Sequence, residues 1–253
     1  MLKETRQVVM SMISDFDQSV VGVLYGGKML EDRIPDAMQG SLELVQIYCK
    51  HYDDDTCKYA AHAGRLDVLE WLRSQDPPCP WDTRACMYAA WNGHLVVLEW
   101  LRSQDPPCPW DGRACAYAAQ KGHLNLLVWL RSQDPPCPWD DFTCTHAAYS
   151  GHLDILVWLR SQDPPCPWNK WAYIYAAEDA RLDVLVWLRS QDPPCPWDWR
   201  VCAYAASTGR LDVLVWLRSQ DPPCPWNEIA YKNAAWNGHL EVLKWLKANG
   251  CPE

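Results

Sequence analysis

Apolar and polar positions follow one another along this chain in a block of 29 residues that ends and starts again. In the block from Trp81, residues Cys86, Ala89 and Ala90 fall at i, i+3 and i+4, which predicts a short helix with a narrow face of small side chains. Asp82 stands where a side-chain oxygen can take an otherwise free N–H of the first helical turn, a contact worth about 1 kcal/mol. Gly93 closes that helix, in the place where a left-handed C-cap is cheap only for glycine. A second apolar run at Leu95, Val97, Leu98, Trp100 and Leu101 predicts a helix from Leu95 to about Ser103, with Arg102 in its last turn opposite the helix dipole. Asp105 and the prolines after it stop this helix, because DPPCP cannot continue one and lacks N–H donors at three positions. The unit is therefore helix, loop, helix and rigid extended turn.

This unit recurs. The residues WLRSQDPPCPW from Trp71 to Trp81 return unchanged at Trp100, Trp129, Trp158, Trp187 and Trp216. Seven units are delimited at 52–80, 81–109, 110–138, 139–167, 168–196, 197–225 and 226–253. A chain that repeats this strictly is expected to form one elongated stack rather than a domain around a single core. The second residue of every unit is Asp53, Asp82, Asp111, Asp140, Asn169, Asp198 or Asn227, so a helix starts at each third position. Trp81 and Cys86 have the spacing of a hydrophobic staple, which assigns Cys86 and its equivalents to packing. Repeat five has Ala180 where the others have glycine, and its joint is expected to be the least comfortable unless the loop bends differently. Residues 1–51 lack the full repeat. Leu2 to Ile13 predicts a short amphipathic helix, and from Ala37 a degenerate half-repeat emerges, the atypical end that caps a stack.

Composition narrows the function. With 32 acidic against 23 basic residues the formal charge is -9, which argues against nucleic acid as a partner, since phosphate binding draws on Lys and Arg. No run approaches the roughly 18 apolar residues of a membrane span, and Glu4, Arg6, Gln7 and Ser11 break up any secretory signal at the start. An intracellular, cytoplasmic protein follows, with the nucleus also open, and no membrane partner. Thirteen cysteines are an odd number, recurring because the unit recurs, and read as reduced thiols. Equivalent cysteines of neighbouring units should stand roughly 8–10 Å apart, beyond the roughly 4.4–6.8 Å between Cα atoms that a disulfide requires.

Two short antiparallel helices with an Ala-Ala-x-x-Gly-His-Leu centre resemble the ankyrin repeat. AAWNGHLVVLEWL at 89–101, AAQKGHLNLLVWL at 118–130 and AAWNGHLEVLKWL at 234–246 carry the resemblance most fully. The CPWD-linked form is similar to ankyrin arrays expanded in unicellular eukaryotes, algae and large DNA viruses. The resemblance implies an all-α fold, an α-solenoid of stacked helix-loop-helix ankyrin-like repeats, with the first helix of each unit on the concave side. This chain departs from the usual 33-residue period and lacks the Thr-Pro-Leu-His helix start. Its Pro-rich connection is shorter, which puts β-hairpin fingers in doubt. Arg65, Arg181 and Arg210 replace the histidine found at His94, His123, His152 and His239.

Where the copies agree, packing, capping and turning account for them, so function is sought where they differ. Four tryptophans belong to neither repeated ladder: Trp91, Trp171, Trp199 and Trp236. They fall, with Phe142 and Tyr149, at the two ends of first helices. Exposed aromatics beside charged residues have the composition of binding hot spots. The expectation is a non-catalytic protein-protein interaction scaffold or adaptor, monomeric and without cofactors, binding a protein partner through these six residues on the concave face. The other class of reading is a cysteine-based redox sensor or metal-binding protein using Cys79, Cys108, Cys137, Cys166, Cys195 and Cys224. The cysteine spacings lack the short pairing of structural zinc, and no phosphate loop, HExxH, GxSxG or kinase signature occurs.

Overall fold

Every described cap aspartate or asparagine opens a helix. The side chain of Asp82 accepts the Arg84 N–H at 2.8 Å, and Asp111, Asp140, Asn169, Asp198 and Asn227 repeat the contact two residues on. The computed structural model describes residues 54–253. Segment 1–51, its expected helix and half-repeat, and the Asp53 cap lie outside the described residues. Among those described are fourteen helices and no strand. They form pairs: α1 (Asp54–His62) with α2 (Leu66–Arg73), α3 (Thr83–Trp91) with α4 (Leu95–Ser103), α5 (Gly112–Gln120) with α6 (Leu124–Ser132), and α7 (Asp141–Ser150) with α8 (Leu153–Ser161). Then come α9 (Lys170–Glu178) with α10 (Leu182–Ser190), α11 (Trp199–Ser207) with α12 (Leu211–Ser219), and α13 (Glu228–Trp236) with α14 (Leu240–Ala248).

The chain divides into two compact units, the first ending at Pro109 and the second starting at Trp110, which is also a boundary between repeats. In each, first helices stack directly on first helices: α1 on α3 in one, and α5, α7, α9, α11 and α13 in succession in the other. Small residues permit this approach. Ala147 and Ala148, like Ala176 and Ala177, have no exposed surface. Second helices pack mainly under their own first helix and supply the larger apolar groups; in α8 these are Ile155, Leu156 and Leu159, all fully buried. Each such side chain contributes about 1.5–3 kcal/mol. Each compact unit is thus an all-α solenoid of stacked helix pairs.

The turn after each second helix is fastened at its cysteine. In repeat four the Cys166 N–H donates to Leu159 O at 3.0 Å, its thiol to the cap carbonyl of Asp140 at 3.4 Å, and its own carbonyl accepts from Arg160 Nη1 at 2.7 Å. The Arg160 guanidinium also lies 4.0 Å over the Trp168 ring. The arginine expected to answer the helix dipole is therefore engaged by the turn, in a charge-assisted hydrogen bond worth about 1.5–3 kcal/mol. Trp139, expected to staple onto Cys144, meets Trp158 edge-on at 6.1 Å, while the Cys144 thiol is directed to the Cys166 carbonyl. The segment Asp163 to Pro167 carries no helix or strand, and its Asp163–Pro164 bond is cis.

The Gly-His pair joins one repeat to the next. His152 Nε2 lies 3.1 Å from Gln120 O, on the preceding repeat. Its ring covers Gly122, whose φ is +81 and where an added Cβ would stand 2.8 Å from the imidazole. His239 does the same over Gly209. These histidines therefore fasten each loop to the loop of the preceding repeat. The Ala180 loop does not bend differently: it keeps φ at 54, a left-handed conformation that costs an L-residue about 1–2 kcal/mol. Repeat six has Arg210 where a histidine would cover this position, and Arg210 is exposed.

These joints predict stability changes of opposite sign. Ala180→Gly relieves the left-handed alanine at some cost in unfolded-chain entropy, and should raise stability by about 0.5–1 kcal/mol in urea titration. Gly122→Ala adds the same strain and displaces the His152 ring, and should lower it by about 2–3 kcal/mol.

Candidate functional site

Because the first helices touch through their alanines, the residues flanking those alanines form a continuous face along each compact unit. Phe142, second in α7, is 61% exposed, Tyr149 is 42% and Trp171, second in α9, is 36%. Trp236, last in α13, is 91% exposed. Trp199 is half-buried and carries the Arg200 guanidinium 4.8 Å over its ring. Trp91, last in α3, is half-buried on the N-terminal unit.

Three of these six residues contact rings the sequence reading passed over. Trp171 stacks on Tyr175, with centroids 5.7 Å apart and planes at 28°. Tyr149 meets the same Tyr175 edge-on at 5.9 Å. Phe142 meets His146 at 6.5 Å, and His146 meets Tyr117 at 5.6 Å. These are two ring groups, over repeats three to five, that border one hollow. Trp199 and Trp236 belong to repeats six and seven and take no part in these ring contacts. Tyr117, His146 and Tyr175 occupy the eighth position of their units, where Tyr59, Tyr88 and Tyr204 also stand. A near-constant aromatic resembles a core position by pattern, yet these rings are half-buried and line the open side of the helices. The available signal was the exchange of tyrosine for His146 in repeat four and for Asn233 in repeat seven.

Two hollows lie beside the Phe142 and His146 rings. One, of about 220 Å³, is lined by Gln120, Phe142, Thr145, His146, Tyr149 and Tyr175. The other, of about 270 Å³, includes Arg113, Tyr117 and Asp140. His146 Nδ1 stands 3.0 Å from Gln120 Oε1; with the amide oxygen as acceptor the ring proton is on Nδ1, leaving Nε2 as an acceptor. Burial holds the His146 pKa below its ordinary value, against the opposing pull of Asp140. The neighbouring charges are paired within the protein: Arg113 with Asp111, Lys170 and Arg200 with Asp198. The first hollow is thus walled mainly by aromatic rings, suited to receiving an apolar or π-stacking group, while the second adds Arg113 and Asp140.

The turn cysteines make no comparable opening. All twelve described cysteines are unbridged and buried. Burial pushes the Cys195 thiol up to about 12. The Cys115 thiol is raised first by its hydrogen bond with Cys137 and then by burial, and Cys144 likewise by Cys166. Among the described residues no three His, Cys, Asp or Glu side chains are grouped to hold a metal ion. No described helix is long and apolar enough to cross a membrane.

Helix pairs in register with a face of variable residues define an α-helical repeat protein. Residues 57–102 match the family model described as ankyrin repeats (many copies). The matched segment is similar to ankyrin repeats, and the same helix pair recurs through the described residues. Repeats of this family generally mediate protein-protein interaction. Among curated proteins none matches the chain. Similar solved structures include two of the pentatricopeptide repeat protein PPR10 in complex with an 18-nt psaJ RNA element, one a triple cysteine-to-serine variant. Each is 14% identical with a TM-score of 0.37, and the match covers 98% of this chain. It covers 48% of the other, so this chain spans about half the length of those it matches.

The lowered His146 pKa sets a pH dependence. An unfolded chain takes up a proton near the ordinary histidine value of about 6.5 before the folded one does, so stability is full above that pH and falls as pH drops below it. The urea midpoint should fall between pH 7 and pH 5. His146→Tyr, the residue of repeats three and five, should make that fall shallower; His62, also lowered by burial, retains its share.

Proposed function

We propose that this chain is a non-catalytic interaction scaffold whose protein partner lies along the first helices. The observation that carries the reading is two partly exposed ring groups, Phe142 with His146, and Tyr149 and Trp171 with Tyr175, that border one hollow. Rigid aromatics offer a partner large contact area at small entropy cost, and a few of them dominate most interfaces. Trp199 and Trp236 extend the same helix series into repeats six and seven, and Trp91 is a contact point of its own on the N-terminal unit. The acidic balance favours a protein partner over nucleic acid. We place the protein in the cytoplasm or nucleus, as a monomer with no cofactor. A fast thiol sensor needs accessible thiols of lowered pKa, whereas these are buried and, where displaced, raised.

The test is affinity capture from lysate of the source cells, comparing the unaltered chain with a Phe142→Ala, Trp171→Ala double variant and a separate Trp91→Ala variant, each checked for helicity by circular dichroism. A partner held by the first chain should bind the double variant about 30-fold or more weakly, the scale of a hot-spot loss. Equal retention of the same protein by both would remove the ring groups as the site.

A further inference from the structure

Five of the seven repeats carry two cysteines, one in the first helix and one in the turn, 22 residues later. In repeat one the two sulfurs, Cys57 Sγ and Cys79 Sγ, stand 3.1 Å apart with both residues fully buried. The sulfurs of Cys115, Cys144 and Cys202 each lie 3.9 Å from the carbonyl oxygen of the turn cysteine of their own repeat, Cys137, Cys166 and Cys224. Cys86 keeps the same register with Cys108, its sulfur 3.9 Å from the Cys108 carbonyl. The pairing crosses no repeat boundary. It brings the turn, fastened to the second helix through its backbone, against the middle of the first helix.

We infer that each pair is a modification site for a disulfide-class oxidant, closing to a disulfide inside one repeat: Cys57–Cys79, Cys86–Cys108, Cys115–Cys137, Cys144–Cys166 and Cys202–Cys224. The chemistry is thiol-disulfide exchange. One cysteine, as thiolate, attacks a sulfur of the oxidant and expels one small thiol; the second attacks the mixed disulfide and expels the other. The two cysteines give up two electrons and two protons, and the oxidant leaves as two thiols. Burial of both sulfurs closes them to the oxidant while the repeat is folded, so exchange waits for the turn to lift. The site is therefore a slow latch that secures the turn once oxidised. It does not depend on the partner-binding reading.

The unit also supplies controls. Repeats five and seven have Tyr173 and Tyr231 in the first-helix position, so Cys195 and Cys251 have no second thiol in their own repeat. The experiment uses the reduced full chain carrying Cys49→Ser, treated with glutathione disulfide without denaturant and in urea below the unfolding transition. It is then alkylated and mapped by mass spectrometry without reduction. The five in-repeat bridges should form, each losing two hydrogens, with Cys195 and Cys251 still alkylated. Without denaturant the reaction should run about a hundredfold or more slower than in an unstructured peptide of the turn sequence, and urea should accelerate it. Tyr173→Cys should bring Cys195 into a sixth bridge, and Cys166→Ser should spare Cys144 while the other pairs still close. Bridges between repeats in comparable yield, consumption of Cys195 as fast as Cys166 in the Cys49→Ser chain, or no bridge in either condition would each overturn the inference.

Discussion

The buried turn cysteine is the point on which each repeat depends. In repeats two, three, four and six its N–H, carbonyl and thiol are spent on three different places: the end of the second helix, the arginine of that helix and the cap carbonyl of the first helix. A proline-rich segment has few donors of its own, so its one central N–H has to be satisfied when the segment is buried, and Leu159 in repeat four does this. The arginine then stacks on the tryptophan that opens the next repeat, and that ring meets the tryptophan of its own second helix. One small buried residue thereby sets the length and direction of the connection, and with it the period of the array.

With the turn side occupied in this way, the first helices are left to approach one another through alanine. Such close stacking puts residues from consecutive repeats within ring-contact distance, which is how Tyr149 of one repeat reaches Tyr175 of the next. A face built from larger residues would hold the helices apart and leave each aromatic alone. The binding surface proposed for the C-terminal unit is thus a consequence of small residues that never touch a partner.

The loops between the two helices show how the array tolerates variation. A glycine in left-handed conformation and the imidazole of the next repeat occupy one another's space at Gly122 and Gly209. Arg181 substitutes for the imidazole over Gly151, its Cδ 2.9 Å from where a Cβ would stand. At Ala180 the methyl is present and the next repeat has the exposed Arg210. The two departures occur together and form one altered joint, since a methyl and a packed imidazole compete for the same volume.

Helix positions, caps and the stop at each Asp-Pro were legible in the sequence because they rest on neighbours a few residues apart. Asp82 finds its N–H two residues on, and the second helix runs from Leu95 to Ser103 as its apolar spacing predicts. The candidate site was legible only in part. Phe142, Tyr149 and Trp171 stood out by differing between copies, but the rings they contact, His146 and Tyr175, lie in a column that a repeat makes look like core. Two facts required the folded chain: that this column faces outward, and that Arg160 serves a turn carbonyl six residues ahead. Local geometry is written in short spacings, whereas exposure and side-chain partnership depend on which helix of which repeat lies alongside. The register of the stack decides that, and no single copy contains it.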